Sequence, residues 1–252
     1  MGGVVVGLLV FAFLAAAALL VLWLHPRLPP TLRSKETTDS VRLGIGVVAT
    51  ITALVVSLLI SSVKGSFDQV HHDVQTFATE LILLDRTLRF DGPEAEKART
   101  LLTRYTQRAL QETWPGRGHK AIVDDKTASA LLDQTEVAIL ALPMASPRQS
   151  RLAERALTEI RDVVRQRWSL VEESGSAVSP ILVAALSLWL GLIFASCGYN
   201  APRNGLVVAV FLVCAASVAG AIFLIVEMDG AFTGLITVPS DSVRQALAHM
   251  QS

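Results

Sequence analysis

Four long apolar stretches interrupt the polar positions of this chain. They cover residues 4–24, 43–63, 177–197 and 205–226, and none of them contains an acidic or basic side chain. A helix of about 20 residues crosses a hydrocarbon core of about 30 Å, since it rises about 1.5 Å per residue. In lipid, a helix also satisfies its backbone hydrogen bonds internally. The pattern therefore predicts an all-α integral membrane protein with four transmembrane helices.

A helical period continues beyond the second apolar stretch. Apolar residues recur there at alternating steps of four and three residues. They are Val56, Ile60, Val63, Phe67, Val70, Val74, Phe77, Leu81, Leu84 and Leu88. This heptad stripe predicts one helix from about residue 43 to about residue 90. Whether the helices that pack on the stripe belong to the same chain or to another subunit stays open.

The polar residues 64–175 are predicted to form an extramembrane helical domain. Shorter helices are expected over about 93–114, 126–142 and 147–173, separated by glycine and proline. Ser146, Pro147 and Gln149 form a helix-start signal for the last of them. The domain is therefore interpreted as a helical bundle that is built on extensions of spans two and three.

Residues 227–252 follow the fourth apolar stretch and begin with two carboxylates, Glu227 and Asp229. They follow the 22-residue span 205–226, so the first interpretation is a helix end at the membrane interface, with Gly230 available for a turn. The alternative is a pair of pore-mouth acids, which would favour cations. The apolar residues 230–236 are too short to cross again, so they lie in the interface or fold back onto the helical domain. A short C-terminal helix with Ser240 as its cap is expected to follow.

Small and hydroxyl side chains share one face of the second span. Thr50, Ser57 and Ser61 lie there, with Gly46 at the same face. Such residues serve close helix packing, or they line a pore. The candidate pore-lining residues are therefore Thr50, Ser57, Ser61 and the neighbouring Ile60, since apolar constrictions can also gate.

Composition narrows the function classes. The chain is 52% hydrophobic with equal numbers of basic and acidic residues, so it has no net charge that would attract nucleic acid. No catalytic or cofactor motif is present, so we expect neither an enzyme nor a cofactor. His71 and His72 near Asp68 are interpreted as a solvated helix face rather than a metal site. The middle of each span lacks an ionisable residue, which argues against a pump and permits a passive channel.

Several stretches resemble the bacterial bestrophin-like membrane protein family of unknown function. They lie at residues 38–68, 81–102 and 194–247 and include the sequences LDR, GPEA, APRN and EMDGAFTGLI. Bestrophins are oligomeric anion channels with four spans per subunit and a long second helix that lines the pore. The resemblance implies a homo-oligomer in the bacterial inner membrane. No acidic cluster suited to calcium is present, so calcium gating is not carried over.

Two features of the sequence disagree on which side of the membrane the helical domain lies. Basic residues lie in the loops at 25–42 and 198–204, and the positive-inside rule places those loops in the cytoplasm and the domain outside. The resemblance to bestrophins implies a cytoplasmic domain instead.

Two functional hypotheses follow from these features. The first is a homo-oligomeric passive ion channel in the lipid bilayer, with ions as its ligands and span two lining the pore. The second is a non-conducting membrane scaffold or sensor whose helical domain binds a partner.

Overall fold

The protein is all-α. The computed structural model describes residues 2–24, 35–115, 121–175, 178–202 and 204–252. The described residues contain no strand, and four of their helices are long and apolar enough to cross a membrane. The predicted fold class is therefore confirmed.

Eight α-helices are described along the chain. They are α1 (Gly3–Leu24), α2 (Lys35–Asp91), α3 (Glu96–Thr113), α4 (Lys126–Leu140), α5 (Pro147–Glu173), α6 (Pro180–Asn200), α7 (Gly205–Asp229) and α8 (Asp241–Gln251). A single 3₁₀ turn, Pro93–Ala95, precedes α3. The chain divides into two compact units, which we call the membrane unit (Met1–Gly65 and Ser176–Asp229) and the helical unit (Ser66–Gly175 and Gly230–Ser252).

The long second helix is continuous and contributes residues to both units. It starts at Lys35, before the predicted residue 43, and it passes through Gly65 without a break. It ends at Asp91, and Gly92 follows with a φ of 91° that suits a residue without a Cβ. Pro93 begins the next turn, because its fixed φ fits a helix start and it needs no amide partner there.

In the membrane unit, α1 packs against both α6 and α7. Contacts pair Phe13 with Gly191 and Ala18 with Gly198, so α1 and α6 run in the same direction. Gly7 lies instead against Phe223. Together with the contact between Gly3 and Glu227, this makes α7 antiparallel to α1.

The heptad stripe of α2 forms the core of the helical unit. Val74, Leu81, Leu84 and Leu88 are fully buried there. Side chains from other helices of the same chain complete this core, namely Leu102, Tyr105, Leu132, Ile139, Ile160, Val163, Val243 and Ala246. The helices that pack on this part of the stripe therefore belong to the same subunit. Fully burying one such leucine contributes about 1.5–3 kcal/mol.

Helix ends differ from several expected bounds. The third membrane helix starts at Pro180 rather than at residue 177, because proline is tolerated in a first turn. The fourth continues to Asp229 rather than ending near residue 226. Glu227 and Asp229 therefore lie in the last turn of α7, so the helix ends at the acid pair, three residues beyond the predicted span.

The segment after α7 folds onto the helical unit. Phe232 and Val238 are buried in its core. The ring of Phe232 packs edge-on against Trp114 at 5.4 Å, and Trp114 Nε1 donates to the Val238 carbonyl at 2.8 Å. These contacts favour the folded-back alternative for residues 230–238.

Candidate functional site

The apolar part of α2 is barely covered by the rest of the chain. Only 6% of its residues are buried, against 28% in α1, 28% in α6 and 22% in α7. The covered side carries Thr52, which is 2% exposed, and Val55, Val56 and Leu59, which pack against the core of the membrane unit. On the opposite side of α2, the side chains of residues 43–61 are largely exposed among the described residues.

The sequence-predicted hydroxyl residues lie on that uncovered side. Thr50, Ser57 and Ser61 are all exposed, and so is Gly46. Successive residues of a helix are about 100° apart around its axis, so Gly46, Ser57 and Ser61 lie within about 40° of Thr50. Thr52 lies about 160° from Thr50, on the covered side. The structure therefore brings the three hydroxyl residues together on one open helix face.

Each of two hydroxyls on this face already donates a hydrogen bond to its own helix. Thr50 Oγ1 donates to the Gly46 carbonyl at 2.9 Å, and Ser57 Oγ donates to the Ala53 carbonyl at 2.9 Å. The hydroxyl oxygens retain lone pairs that can accept from water or face a cation. To donate to an anion, a hydroxyl must first rotate away from its carbonyl.

Ile60 lies at the edge of the same face. Its side chain is 46% exposed, although it belongs to the heptad stripe whose later members are buried. It is about 60° from Ser57 around the helix, whereas Leu58 is about 100° from Ser57. An exposed Ile beside the hydroxyl residues is the kind of apolar side chain that forms a hydrophobic constriction.

The small residues of the other membrane helices have a different environment. A Cβ on Gly191 would meet the Phe13 ring at 2.5 Å, and a Cβ on Gly198 would strike the backbone of Ala18. By contrast, a Cβ on Gly46 would meet no atom within 4 Å. Glycine in α6 thus serves close helix packing, whereas in α2 it leaves an open face.

The two candidate pore-mouth acids contact the starts of neighbouring helices. Glu227 is 5% exposed, and its Oε2 lies directly against Gly3 in the first turn of α1. Asp229 Oδ1 accepts a hydrogen bond from the Val178 amide, just before α6, at 2.9 Å. The first amides of a helix lack partners within it and favour a nearby carboxylate. Both acids therefore support the packing of α7 against the parallel helices α1 and α6.

The histidine pair of α2 gains no metal-like surroundings. His72 is exposed, and His71 Nε2 lies 3.3 Å from Gln75 Nε2. The described residues contain no group of three His, Cys, Asp or Glu side chains that could hold a metal ion.

Sequence reasoning missed a contact between two acids in the helical unit. Asp73 of α2 accepts a hydrogen bond from Ser169 of α5, and Glu173, one turn further along α5, has its pKa raised by Asp73. Asp73 directly precedes Val74 of the buried stripe, which signals partial burial. The partner on α5 could not be read from the sequence, because it depends on how two helices rotate against each other.

Four apolar helices, with a helical bundle inserted after the second, define a multi-pass membrane protein. The chain belongs to the bestrophin-like family, because the model of the Bestrophin-like domain matches residues 12–243. The family is related to the bestrophin channels. No curated protein and no solved structure showed a significant match to the chain.

Proposed function

We propose that the protein is a homo-oligomeric passive ion channel of the bacterial inner membrane, with α2 from each subunit around a central axis. The open hydroxyl face of α2 carries this proposal. Family membership supports it, since the related bestrophins are channels.

The hydroxyl groups of this face would gain no hydrogen-bond partner from lipid acyl chains. Gly46, Thr50, Ser57 and Ser61 themselves offer little apolar surface, and they alternate on this side of α2 with the exposed Leu43 and Leu54. Small side chains also let water approach the backbone closely. A water-filled axis lined by copies of α2 would satisfy the hydroxyl groups of this face.

Passive conduction fits the chemistry of the face. Residues 43–63 contain no ionisable side chain, so this helix offers no proton relay or coupled-ion site. Hydroxyl oxygens and Ile60 are the groups available to contact an ion and to narrow the path. We therefore expect flux down an electrochemical gradient without an energy source.

The test is ion flux into liposomes that contain the purified full-length protein, together with its mass in lipid nanodiscs. We expect an oligomeric mass and flux of small inorganic ions in at least one of several salts. Ser57→Trp should abolish the flux, because it places a bulky ring on the proposed lining. Leu58→Trp is the matched control, since it lies about 100° around the helix and should conduct.

Silent liposomes with a well-folded oligomer, across several salts and pH values, would reject the channel. Equal flux from both tryptophan variants would reject the assigned lining while leaving conduction intact.

A second candidate function is a non-conducting scaffold or sensor. Val137 and Leu140 on α4, with Met144 just beyond it, are each more than half exposed on the helical unit. Such apolar side chains suit a protein partner. A monomeric species in nanodiscs, with one dominant cross-linked hetero-partner in native membranes, would favour this function over the channel.

A further inference from the structure

The helical unit contains a contact between two carboxyl groups. Asp73 is 7% exposed, and neutral donors surround its carboxylate. Gln69 Nε2 donates to Oδ1 at 3.0 Å, and Ser169 Oγ donates to Oδ2 at 3.3 Å. Gln166 Nε2 reaches the Asp73 carbonyl at 3.3 Å, so α5 packs directly on this turn of α2.

Glu173, the last residue of α5, completes the contact. It lies one turn after Ser169, which donates to Asp73, and a side-chain hydrogen bond to Asp73 is among the causes that raise the pKa of Glu173. Its Oε2 is enclosed and has no hydrogen-bond donor among the described residues. Two carboxyl groups can be hydrogen-bonded to each other only when one of them carries a proton.

Other buried acids of this unit have a cation beside them. Asp85 pairs with Arg89 and Arg99 at 3.1 and 3.0 Å, and Glu159 pairs with Arg155 at 2.8 Å. In the described part of the chain, no ion pair within 4 Å reaches Asp73 or Glu173. Among the described residues, Asp73 and Glu173 therefore have no counterpart to the arginines that pair with Asp85 and Glu159.

The other described charged residues of α2 and α5 do not neutralise Asp73 and Glu173. They either interact with other groups or repel a negative charge on Glu173. Glu172, next to Glu173 on α5, repels it. Arg167 of α5 is directed at Asp124 Oδ1 and the Asp125 carbonyl, each at 3.4 Å. The other charged groups along this contact act on one another, namely Glu80 of α2 and Glu159, Asp162 and Arg165 of α5.

We propose that Asp73 and Glu173 form a proton-binding site that makes the packing of α5 on α2 depend on pH. Burial, the hydrogen bond to Asp73 and repulsion by Asp73 and Glu172 raise the pKa of Glu173 to about 7. Loss of the proton leaves two negative charges in contact. This inference does not depend on whether the protein conducts ions.

The sign of the stability effect follows from the raised pKa. The folded protein holds the proton more tightly than the unfolded chain, whose glutamate has an ordinary pKa of 4.5. The stabilising contribution is therefore complete below about pH 4.5 and is lost as the pH rises through about 7.

The test compares thermal unfolding of the full-length protein in detergent at about pH 6 and about pH 8, on either side of the raised pKa. The wild type should melt at a lower temperature at the higher pH. Glu173→Gln mimics the protonated acid permanently and should lose most of this pH dependence. Glu172→Gln is the matched control, because it removes an exposed neighbouring acid and should keep most of it.

Infrared spectroscopy gives a second readout that needs no comparison of stabilities. The wild type should show a protonated carboxyl C=O band that disappears between these two pH values. The band should be absent in Glu173→Gln, and in Asp73→Asn it should disappear at a lower pH, because the repelling charge is gone. A wild type without the band, or a Glu173→Gln variant with the wild-type pH dependence, would overturn the proposal.

Discussion

Asp85 ties three helices of the helical unit together, and its substitution tests how this unit is stabilised. Its side chain is 6% exposed and accepts from Arg89 at 3.1 Å and from Arg99 at 3.0 Å. Both arginines also donate hydrogen bonds to backbone carbonyls at the end of α8. Arg89 Nη2 donates to the His249 carbonyl at 2.9 Å, and Arg99 Nη2 reaches the Met250 carbonyl at 3.5 Å. Asp85→Asn removes the charge that holds the two guanidinium groups.

Removing one partner of a fully buried ion pair costs about 3–5 kcal/mol. The two arginine side chains here are 45% and 19% exposed, so water compensates for part of the loss. We therefore expect Asp85→Asn to lower the free energy of unfolding by about 2–3 kcal/mol. For a chain of this size, that corresponds to a fall in Tm of about 5–10 °C.

Thermal unfolding of the full-length protein in detergent measures this change. Glu96→Gln is a control within the same network, because Glu96 pairs with Arg99 at 3.1 Å but is 65% exposed. It should change the free energy of unfolding by less than about 1 kcal/mol. Amide hydrogen exchange in α8 should also rise in Asp85→Asn, since the arginines no longer hold its last carbonyls. An equal Tm for both variants, with α8 protection unchanged, would refute this reasoning.

The remaining predictions concern the membrane unit. Gly198→Ala should lower the Tm, because the new Cβ would strike the Ala18 backbone, whereas Gly65→Ala meets no atom and should stabilise α2 by up to about 1 kcal/mol. Thermal unfolding measures both, and a tolerated Gly198→Ala would contradict the close packing of α1 on α6. Glu227→Gln combined with Asp229→Asn should lower the Tm but leave the ion preference of the flux unchanged. A changed preference would support the pore-mouth alternative instead.

Hydrophobic periodicity was sufficient to predict the main architecture. The stripe from Val56 to Leu88 predicted one long helix, because only a continuous helix keeps steps of four and three residues on one side. It could not predict that Ile60 is exposed while Leu81 is fully buried. That difference depends on which helices reach each part of α2, and periodicity contains no information about neighbours.

The end of α7 was harder to predict, for a physical reason. Two carboxylates after a long apolar stretch usually signal a helix end at an interface. Here the first turn of α1 lies against Glu227, and the Val178 amide donates to Asp229, so the helix continues through both acids. The candidate site remains a prediction in part. The structure shows that Thr50, Ser57 and Ser61 share an open face, and conduction along that face awaits measurement.

The most direct test of the channel proposal is the current through planar bilayers before and after a charged, membrane-impermeant thiol reagent. Both native cysteines, Cys197 and Cys214, are exposed and would be replaced by alanine first. In that background, the reagent should block or strongly alter the current through Ser57→Cys. It should leave Leu58→Cys unchanged, because that side chain points about 100° away from the proposed axis. Current that responds equally in both variants, or that responds only in Leu58→Cys, would contradict the assignment of this α2 face to the pore.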